Sequence, residues 1–239
     1  MKYEPAKALT YDTLEQLQVS RPVDRLSFIA ELCRGKRVLD LGCLDETAVV
    51  KHDTEHWLHG KIAGVAASLI GIDSSDRVPP EGLQTGPNCI IVKGDATDPE
   101  GPRLVDDEIE IIVAGEFIEH IEAPLEFFRT MQRRFPGREL VISTPNGLSF
   151  ANTLLGMAGR EAQHPDHIQI FTFKILNTLC ARAPFKTWEI RPYRFYATEM
   201  ILKSRGGKCS LAIFVQRFVR IVEWMFPLLS FGYVVRARL

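Results

Sequence analysis

The chain lacks an excess of either charge, a paired cysteine pattern and a signal-like N-terminus, and each absence excludes a class of protein. Its 29 basic and 30 acidic residues leave a formal net charge of −1, which argues against a broad nucleic-acid-binding surface. The five cysteines are odd in number and show no metal-type spacing, so a disulfide framework is not indicated. No apolar core of signal-peptide length opens the sequence, and we therefore expect a cytoplasmic protein.

An uninterrupted apolar run long enough to cross a bilayer is also missing. The most apolar segment, residues 211–235, contains four polar residues at helical spacing and a proline, namely Gln216, Arg217, Arg220, Glu223 and Pro227. Because these residues give a helix one polar face, we expect no transmembrane segment and predict a last helix that covers the sheet. A helix that lies on a membrane surface is the alternative.

The turn after the first apolar run is poor in glycine. The run RVLDLGCLDE at 37–46 has Gly42 alone, with Leu44, Asp45 and Glu46 where further glycines would stand. A dinucleotide needs bare backbone N–H groups in such a turn, and two carboxylates would repel its phosphates. The turn therefore favours a cationic cofactor without phosphates. Alternatively, Asp45 and Glu46 only complement the positive end of the next helix.

Four apolar runs in the N-terminal half end in an acidic residue. Such runs are typical of buried parallel strands, whose carboxyl ends meet at the edge where open α/β sheets bind ligands. The four acids are Asp40, Asp73, Asp95 and Glu116. A fifth run at 139–146 is stopped by a proline, and apolar residues from 118 to 131 repeat at helical spacing. The pattern predicts an α/β fold with a ligand cleft at this edge, although any one acid could instead cap a helix.

The motifs RVLDLGC, LIGID, GDATD, AGEFIEHIEAP and VISTPN follow one another in an order that resembles the class I S-adenosylmethionine-dependent methyltransferases. The resemblance covers about residues 36–146, and the chain looks most like the branch of ubiquinone-pathway and other small-molecule O-methyltransferases. It implies a Rossmann-like sheet of seven mostly parallel strands with an antiparallel last strand, helices on both faces, and a small helical cap or insert. The chain departs from the family in the first turn, where further glycines are usual.

The resemblance also implies S-adenosylmethionine as the cofactor and a set of residues that hold it. The first turn would contact the methionine moiety, the second acid the ribose and the third the adenine, while the end of the fourth run would line the floor near the sulfonium. The implied residues are Asp40, Gly42, Cys43, Asp73, Ser74, Asp95, Ala96, Glu116 and Phe117. No metal ligand is assigned in this interpretation.

We expect one methyltransferase domain over residues 1–239. The connection after the fifth strand is too long for a plain loop, so we predict that it forms part of the acceptor pocket. The expected parts are an N-terminal helical cap at 1–35, a cofactor-binding core at 36–146, an acceptor-side insert at 147–185, and C-terminal strands and helix at 186–239. Further predicted helices span 11–18, 21–33 and, as a lengthened helix after the first turn, 51–68.

Three histidines are candidates for the chemistry. Methyl transfer from a sulfonium needs mainly a positioned acceptor and, for an oxygen acceptor, a base with a pKa near neutrality. His120 follows the fourth strand, and His164 and His167 lie in HPDHIQIF of the insert. We predict His120 and His167, together with Glu116, as catalytic residues, and a small molecule methylated at oxygen as the acceptor. Alternatively, each histidine only packs or caps.

A second interpretation joins Glu116, Glu119, His120 and His167 in a metal site. The pattern E-x-x-E-H, followed by TPN and D-H-x-x-x-F, is similar to RNA 3′-end 2′-O-methyltransferases, in which two acids and two histidines hold a divalent ion. The same pattern occurs in metal-free small-molecule enzymes, and the near-neutral charge argues against RNA as a partner.

Three further alternatives remain open at this stage. A module that binds S-adenosylmethionine without chemistry would account for the altered first turn. An NAD-dependent oxidoreductase is disfavoured by the missing glycines. A homodimer that uses the apolar C-terminal helix is left open.

Overall fold

A mixed, mostly parallel sheet organises the chain. The computed structural model describes residues 16–44, 54, 56–99 and 108–239. The strands within these residues are β1 (Arg37–Leu41), β2 (Ser68–Asp73), β3 (Leu83–Gly86), β4 (Cys89–Lys93), β5 (Ile111–Gly115), β6 (Glu139–Pro145), β7 (Thr187–Tyr193) and β8 (Gly232–Arg238). The α-helices are α1 (Arg25–Cys33), α2 (Leu58–Ala63), α3 (Pro124–Arg134), α4 (Phe150–Met157), α5 (Phe173–Arg182), α6 (Thr198–Leu202) and α7 (Gly207–Met225).

The order of the strands in the sheet is β3-β4-β2-β1-β5-β6-β8-β7. Strands β4, β2, β1, β5 and β6 run parallel, so their carboxyl ends share one edge. Strand β8 is antiparallel and lies between β6 and β7, pairing Ser143 of β6 with Val234. The predicted Rossmann-like α/β fold is confirmed, including the antiparallel last strand.

The sheet has one strand more than the seven predicted. Strand β3 pairs antiparallel with β4 across a turn at 87–88, and its register shifts between Gln84 and Gly86. Its four residues include one large apolar side chain, Leu83, so the segment has no apolar run that would indicate a strand. The parallel strand β4 is thereby paired on both sides.

Helices on both faces hold the strand ends in place. On one face α3 and α5 pack Phe128, Met131 and Leu176 against the sheet, and on the other α1 and α2 pack Ile29 and Ile62. All five side chains are fully buried. Burying an apolar side chain of this size contributes about 1.5–3 kcal/mol. The carboxyl edge of the sheet is therefore a rigid platform for the site.

The N-terminal helices are shorter than predicted. Helix α1, within the predicted 21–33, begins after Asp24, whose side chain accepts a hydrogen bond from the backbone N–H of Ser27. Of the helix predicted at 11–18, only 16–18 belong to the described residues, and these have no regular structure. The lengthened helix predicted over 51–68 is wrong for its described part, because Trp57 has an extended backbone and the helix there is α2 alone.

Residues 118–131, whose apolar side chains repeat at helical spacing, belong to two separate helical elements. A 3₁₀ helix spans Ile118–His120, and α3 begins at Pro124. Proline suits the first turn of a helix because the N–H group that it lacks would have no helical partner there. The break places His120 at the carboxyl edge of the sheet, outside the long helix.

Helix α7 does not cover the sheet, against the prediction. It packs on α4 and α6, and among its described residues only Ala212, Val219 and Glu223 are buried. Its polar residues face the chain: Gln216 accepts a hydrogen bond from the backbone N–H of Ala197, and Glu223 accepts one from that of Phe195. The helix is therefore docked by its polar face. No helix in the described ranges is long and apolar enough to cross a membrane.

Candidate active site

A cavity of about 590 Å³ opens at the carboxyl ends of β1 and β5. Its volume lies within the range of small-ligand pockets. It brings together seven of the residues that the sequence singled out, namely Asp40, Gly42, Cys43, Glu116, His120, His164 and His167. It also contains residues that the sequence analysis missed, namely Arg25, His56, Trp57 and His59.

The turn after β1 depends on Gly42 and on the side chain that packs against it. Gly42 has φ +66°, in the left-handed region that favours glycine. A Cβ atom at this position would lie 2.6 Å from the ring of Phe117, and the backbone N–H of Gly42 donates to the carbonyl of Ile72 at 2.9 Å. Phe117 therefore supports the turn from behind, and it does not line the cavity.

A buried pair fixes the end of β1. The Asp40 carboxylate lies 2.9 Å from Nδ1 of His59, and Nε2 of the same ring lies 2.9 Å from the hydroxyl of Thr85. Nearby, the indole N–H of Trp57 donates to the carbonyl of Cys43 at 3.0 Å. Helix α2 and the residue before it thus hold both sides of the turn. The segment HWLH was the available signal, because two histidines flank a tryptophan just after the turn.

The predicted ribose and adenine contacts do not line this cavity. Both oxygens of Asp73 accept backbone hydrogen bonds, from Leu44 at 2.8 Å and from Ser75 at 2.9 Å. Asp95 accepts hydrogen bonds from the backbone and hydroxyl of Thr97, which lower the pKa of its carboxyl group. The neighbours of these acids, Ser74 and Ala96, do not reach the cavity either. Asp45 and Glu46 lie outside the described residues.

Glu116 is held in a backbone conformation that residues other than glycine rarely adopt. Its φ is +54°, and such strain at a non-glycine residue is characteristic of functional sites. Its carboxylate forms an ion pair with Arg25 at 3.2 Å and accepts a hydrogen bond from the hydroxyl of Tyr193 at 2.9 Å. Burial and the adjacent carboxylate raise the pKa of Tyr193 well above its ordinary value, so the phenol remains a donor.

The insert folds back and joins three histidines beside Glu116. The backbone N–H groups of Ile168 and Gln169 donate to the carbonyl of Glu119 at 3.0 and 3.1 Å. The side-chain amide of Gln169 donates to the carbonyls of Ile121 and Glu122. As a result the ring centroids of His120 and His167 are 4.6 Å apart, those of His164 and His167 5.6 Å, and those of His120 and His164 5.9 Å.

The electrostatics of this cluster favour the neutral forms of His120 and His167. Partial burial lowers the pKa of His120, and the neighbouring His164 adds to this effect. Burial also lowers the pKa of His167, with His120 and His164 contributing further. A histidine with a lowered pKa is unprotonated at neutral pH and is able to accept a proton.

Glu119 is buried beneath the cluster and carries no partner within the described ranges. It is 1% exposed, and neither carboxylate oxygen has a hydrogen-bond partner there. Burial, assisted by the charge of Glu116, raises its pKa to about 8. The protonated form of Glu119 is therefore favoured, and the residue lines a small cavity together with His167. The close ligand atoms, all within 4.8 Å of one another, belong to His120, His164 and His167.

A family model described as a methyltransferase domain matches residues 11–190, about three quarters of the chain. The chain belongs to this methyltransferase family. The predicted class I assignment is thereby confirmed, with S-adenosylmethionine as the cofactor of this methyltransferase. The alternative of an NAD-dependent oxidoreductase is wrong.

Three solved structures illustrate the shared fold of the methyltransferase. An S-adenosylmethionine-dependent methyltransferase from Archaeoglobus fulgidus is 16% identical, with a TM-score of 0.51 over 90% of this chain and 91% of that one. A possible histamine N-methyltransferase from Thermotoga maritima is 14% identical, with a TM-score of 0.54 over 90% and 87%. The small RNA methyltransferase HEN1 is 17% identical, with a TM-score of 0.56 over 96% of this chain and 27% of that one. No curated protein sequence matches the chain.

Replacing Gly42 by alanine tests the turn of the methyltransferase, and Gly137→Ala is its matched control. Both glycines have positive φ, but only Gly42 has a side chain within 4 Å of the added Cβ. We expect both variants to lose stability from backbone strain, and Gly42→Ala to lose about 1–3 kcal/mol more from overpacking against Phe117. We also expect Gly42→Ala alone to bind S-adenosylmethionine more weakly. Urea unfolding and calorimetric titration measure the two effects, and equal values for both variants would contradict this account.

Proposed function

We propose that this methyltransferase transfers a methyl group from S-adenosylmethionine to a hydroxyl group of a small-molecule acceptor. The observation that carries the proposal is the single cavity that joins the glycine turn and Glu116 to the histidine cluster. The cofactor supplies an electrophilic methyl group on a positively charged sulfonium. The tasks left to the protein are to orient the acceptor and to take up its proton.

We assign the donor to the side of the cavity formed by Asp40, Gly42, Cys43 and Glu116. The residues fit this cofactor, because three carboxylates, those of Asp40, Glu116 and Asp166, line the cavity against two cations, Arg25 and Lys203, and this balance suits a cation without phosphates. The ribose and adenine contacts remain proposals that rest on position in the sheet and on the family resemblance. They are Asp73 with Ser74 and Asp95 with Ala96, and Phe117 completes the set behind the turn.

The base in this proposal is His120. Its ring lies at the carboxyl edge of β5, partial burial and the neighbouring His164 lower its pKa, and it faces the same cavity as Glu116. His167 stands in contact with it, 4.6 Å between centroids, and is the second candidate. Glu116 contributes by fixing the polar end of the cavity through Arg25 and Tyr193. Its carboxylate already has two partners, which makes it the less suitable base.

Alanine substitution of each histidine tests this assignment. General bases commonly contribute about 100-fold to 10,000-fold in rate, so we expect His120→Ala to lower kcat by about 100-fold or more. We expect His167→Ala to lower it less, and both variants to bind S-adenosylmethionine as tightly as the wild type. Activity is followed as formation of S-adenosylhomocysteine with a panel of hydroxylated acceptors, and donor binding by calorimetry. Because the base must be neutral, its lowered pKa predicts an acidic limb of the rate below pH 6.5.

The comparison variant is His164→Ala, which keeps both candidate bases but removes a neighbour that lowers the pKa of His120, so we expect it to shift the acidic limb and to retain activity above it. Full activity in both His120→Ala and His167→Ala would show that neither residue is the base. Loss of donor binding together with activity would assign the histidines to binding instead.

A second candidate function is metal-dependent methylation of an RNA 3′ end at the 2′-oxygen. It is supported by the three histidine ligand atoms within 4.8 Å of one another, an imidazole set that suits transition metals better than Mg²⁺. Against it stand the near-neutral charge of the chain and the engagement of Glu116 by Arg25.

Removal of metal separates the two candidates. On the small-molecule proposal, dialysis against a chelator leaves methyl transfer unchanged within about a factor of two, because a histidine base needs no ion. The metal content of the purified protein is measured in parallel by mass spectrometry. Activity that disappears on chelation and returns with Mn²⁺ or Zn²⁺ would favour the metal-dependent function.

The proposal extends to the organisation and location of the enzyme. In it, residues 1–35 form a cap, 36–146 bind the donor, 147–185 bind the acceptor, and 186–239 complete the sheet. The five cysteines are all free thiols, as suits the cytoplasmic location that we propose.

A further inference from the structure

A second cavity, of about 640 Å³, opens beside the first. The two share Arg25, His56, Glu116 and Phe231, so both are bordered by the carboxylate at the end of β5. Neither the donor assignment nor the proposed base makes use of this second cavity. Its position nevertheless places it next to the point where an acceptor must meet the donor.

The walls that the second cavity does not share with the first carry no charged side chain among the described residues. Helices α4, α6 and α7 contribute Leu154, Leu155, Met200, Val215 and Val219 to these walls. Two of the polar side chains there are already engaged. The hydroxyl of Tyr196 donates to Asp24, and the side-chain amide of Asn152 donates to the carbonyl of Asn146.

The docking of α7 by its polar face explains why these walls are open and apolar. Gln216 and Glu223 bind the backbone of Ala197 and Phe195, and the guanidinium of Arg220 donates to the carbonyl of Phe195. These contacts fix one side of the helix, and Phe218 of α7 packs against Phe150 of α4, with 6.1 Å between the ring centroids. Apolar side chains that line an open cavity stay in contact with water until a ligand covers them, which favours an apolar occupant.

The two ends of the second cavity therefore differ in chemistry. One end is polar, where Arg25 and Glu116 form an ion pair and Tyr193 donates to Glu116. The remainder is lined mainly by aliphatic and aromatic side chains, and its three polar residues, Asn152, Tyr196 and Thr198, are few for replacing the hydration of a sugar or a nucleotide. Burying such hydroxyl or phosphate groups there without hydrogen bonds would be unfavourable.

We propose that the acceptor is an amphipathic molecule whose hydroxyl-bearing head lies at Glu116 and whose apolar tail lies between α4 and α7. This inference rests on the proposed function, because it assigns the acceptor class of the same site. It predicts that affinity depends on the length of the tail. Each methylene that enters the cavity strengthens binding by up to roughly fourfold, the equilibrium ratio for burying one CH₂ group.

The test uses para-alkylphenols as probes, with methyl, propyl and hexyl tails, below their aggregation concentrations. The full chain is first saturated with S-adenosylhomocysteine, and the dissociation constant of each phenol is measured by calorimetry. We expect hexyl to bind at least about tenfold more tightly than propyl, since three methylenes enter the cavity. Initial rates of methyl transfer from S-adenosylmethionine to the same phenols should follow the same order.

The blocking variant is Ala151→Phe, in the first turn of α4 on the cavity wall. Its matched control is Ala158→Phe, at the C-cap of the same helix and outside the cavity. A second control, Phe214→Ser, removes an apolar side chain that is 67% exposed and outside the cavity. We expect Ala151→Phe to abolish the difference between hexyl and propyl, and both controls to retain it. If Ala151→Phe fails to fold, Leu155→Trp fills the same space.

The outcomes separate this inference from the proposed function. Failure of the chain to bind S-adenosylhomocysteine would overturn the proposed function itself. Donor binding together with equal affinity for all tails, or with faster transfer to polar acceptors without a tail, would overturn the amphipathic acceptor alone. A dependence on tail length that Phe214→Ser removes and Ala151→Phe leaves intact would place the tails on the outer face of α7, which also overturns it.

Discussion

The carboxylate of Glu116 forms an ion pair with Arg25 and accepts a hydrogen bond from the hydroxyl of Tyr193. These two contacts connect the end of β5 with α1 and with the end of β7. The segment before α1 reaches this point because Val23 pairs with Tyr193 at the end of β7. The left-handed backbone of Glu116 costs on the order of 1–3 kcal/mol, which these contacts offset. Both cavities border on this side chain, so the donor side, the base and the proposed acceptor side all depend on its position.

A second constraint positions the histidines. His164 and His167 lie in the insert, more than forty residues after His120. The backbone N–H groups of Ile168 and Gln169 donate to the carbonyl of Glu119, and these hydrogen bonds place the two histidines beside His120. The side chain of Glu119 meanwhile lies buried, and this burial, assisted by the charge of Glu116, raises its pKa to about 8. The peptide group of Glu119 therefore organises the cluster, and its carboxyl group lies beside His167 in a small cavity.

Much of the sheet could be predicted from the sequence, because buried parallel strands give continuous apolar runs with a well-defined end. The ends of these runs also predicted that Asp40, Gly42, Cys43, Glu116, His120 and His167 lie close together, and one cavity contains all six. His59 could be noticed only through the segment HWLH, because its pairing with Asp40 depends on where α2 packs. The prediction for α7 was wrong, because periodicity separates the polar face from the apolar one and does not say which face docks. Strand β3 and the engaged carboxylates of Asp73 and Asp95 likewise depend on turns whose partners are set by tertiary contacts.

The central claim is that donor and base share the cavity at the end of β5. A crystal structure of the full chain with S-adenosylhomocysteine tests it most directly. The account predicts the homocysteine moiety against the turn at Gly42, with the sulfur atom facing the space between Glu116 and His120. A nucleoside bound elsewhere, or a sulfur atom that faces away from the three histidines, would contradict it.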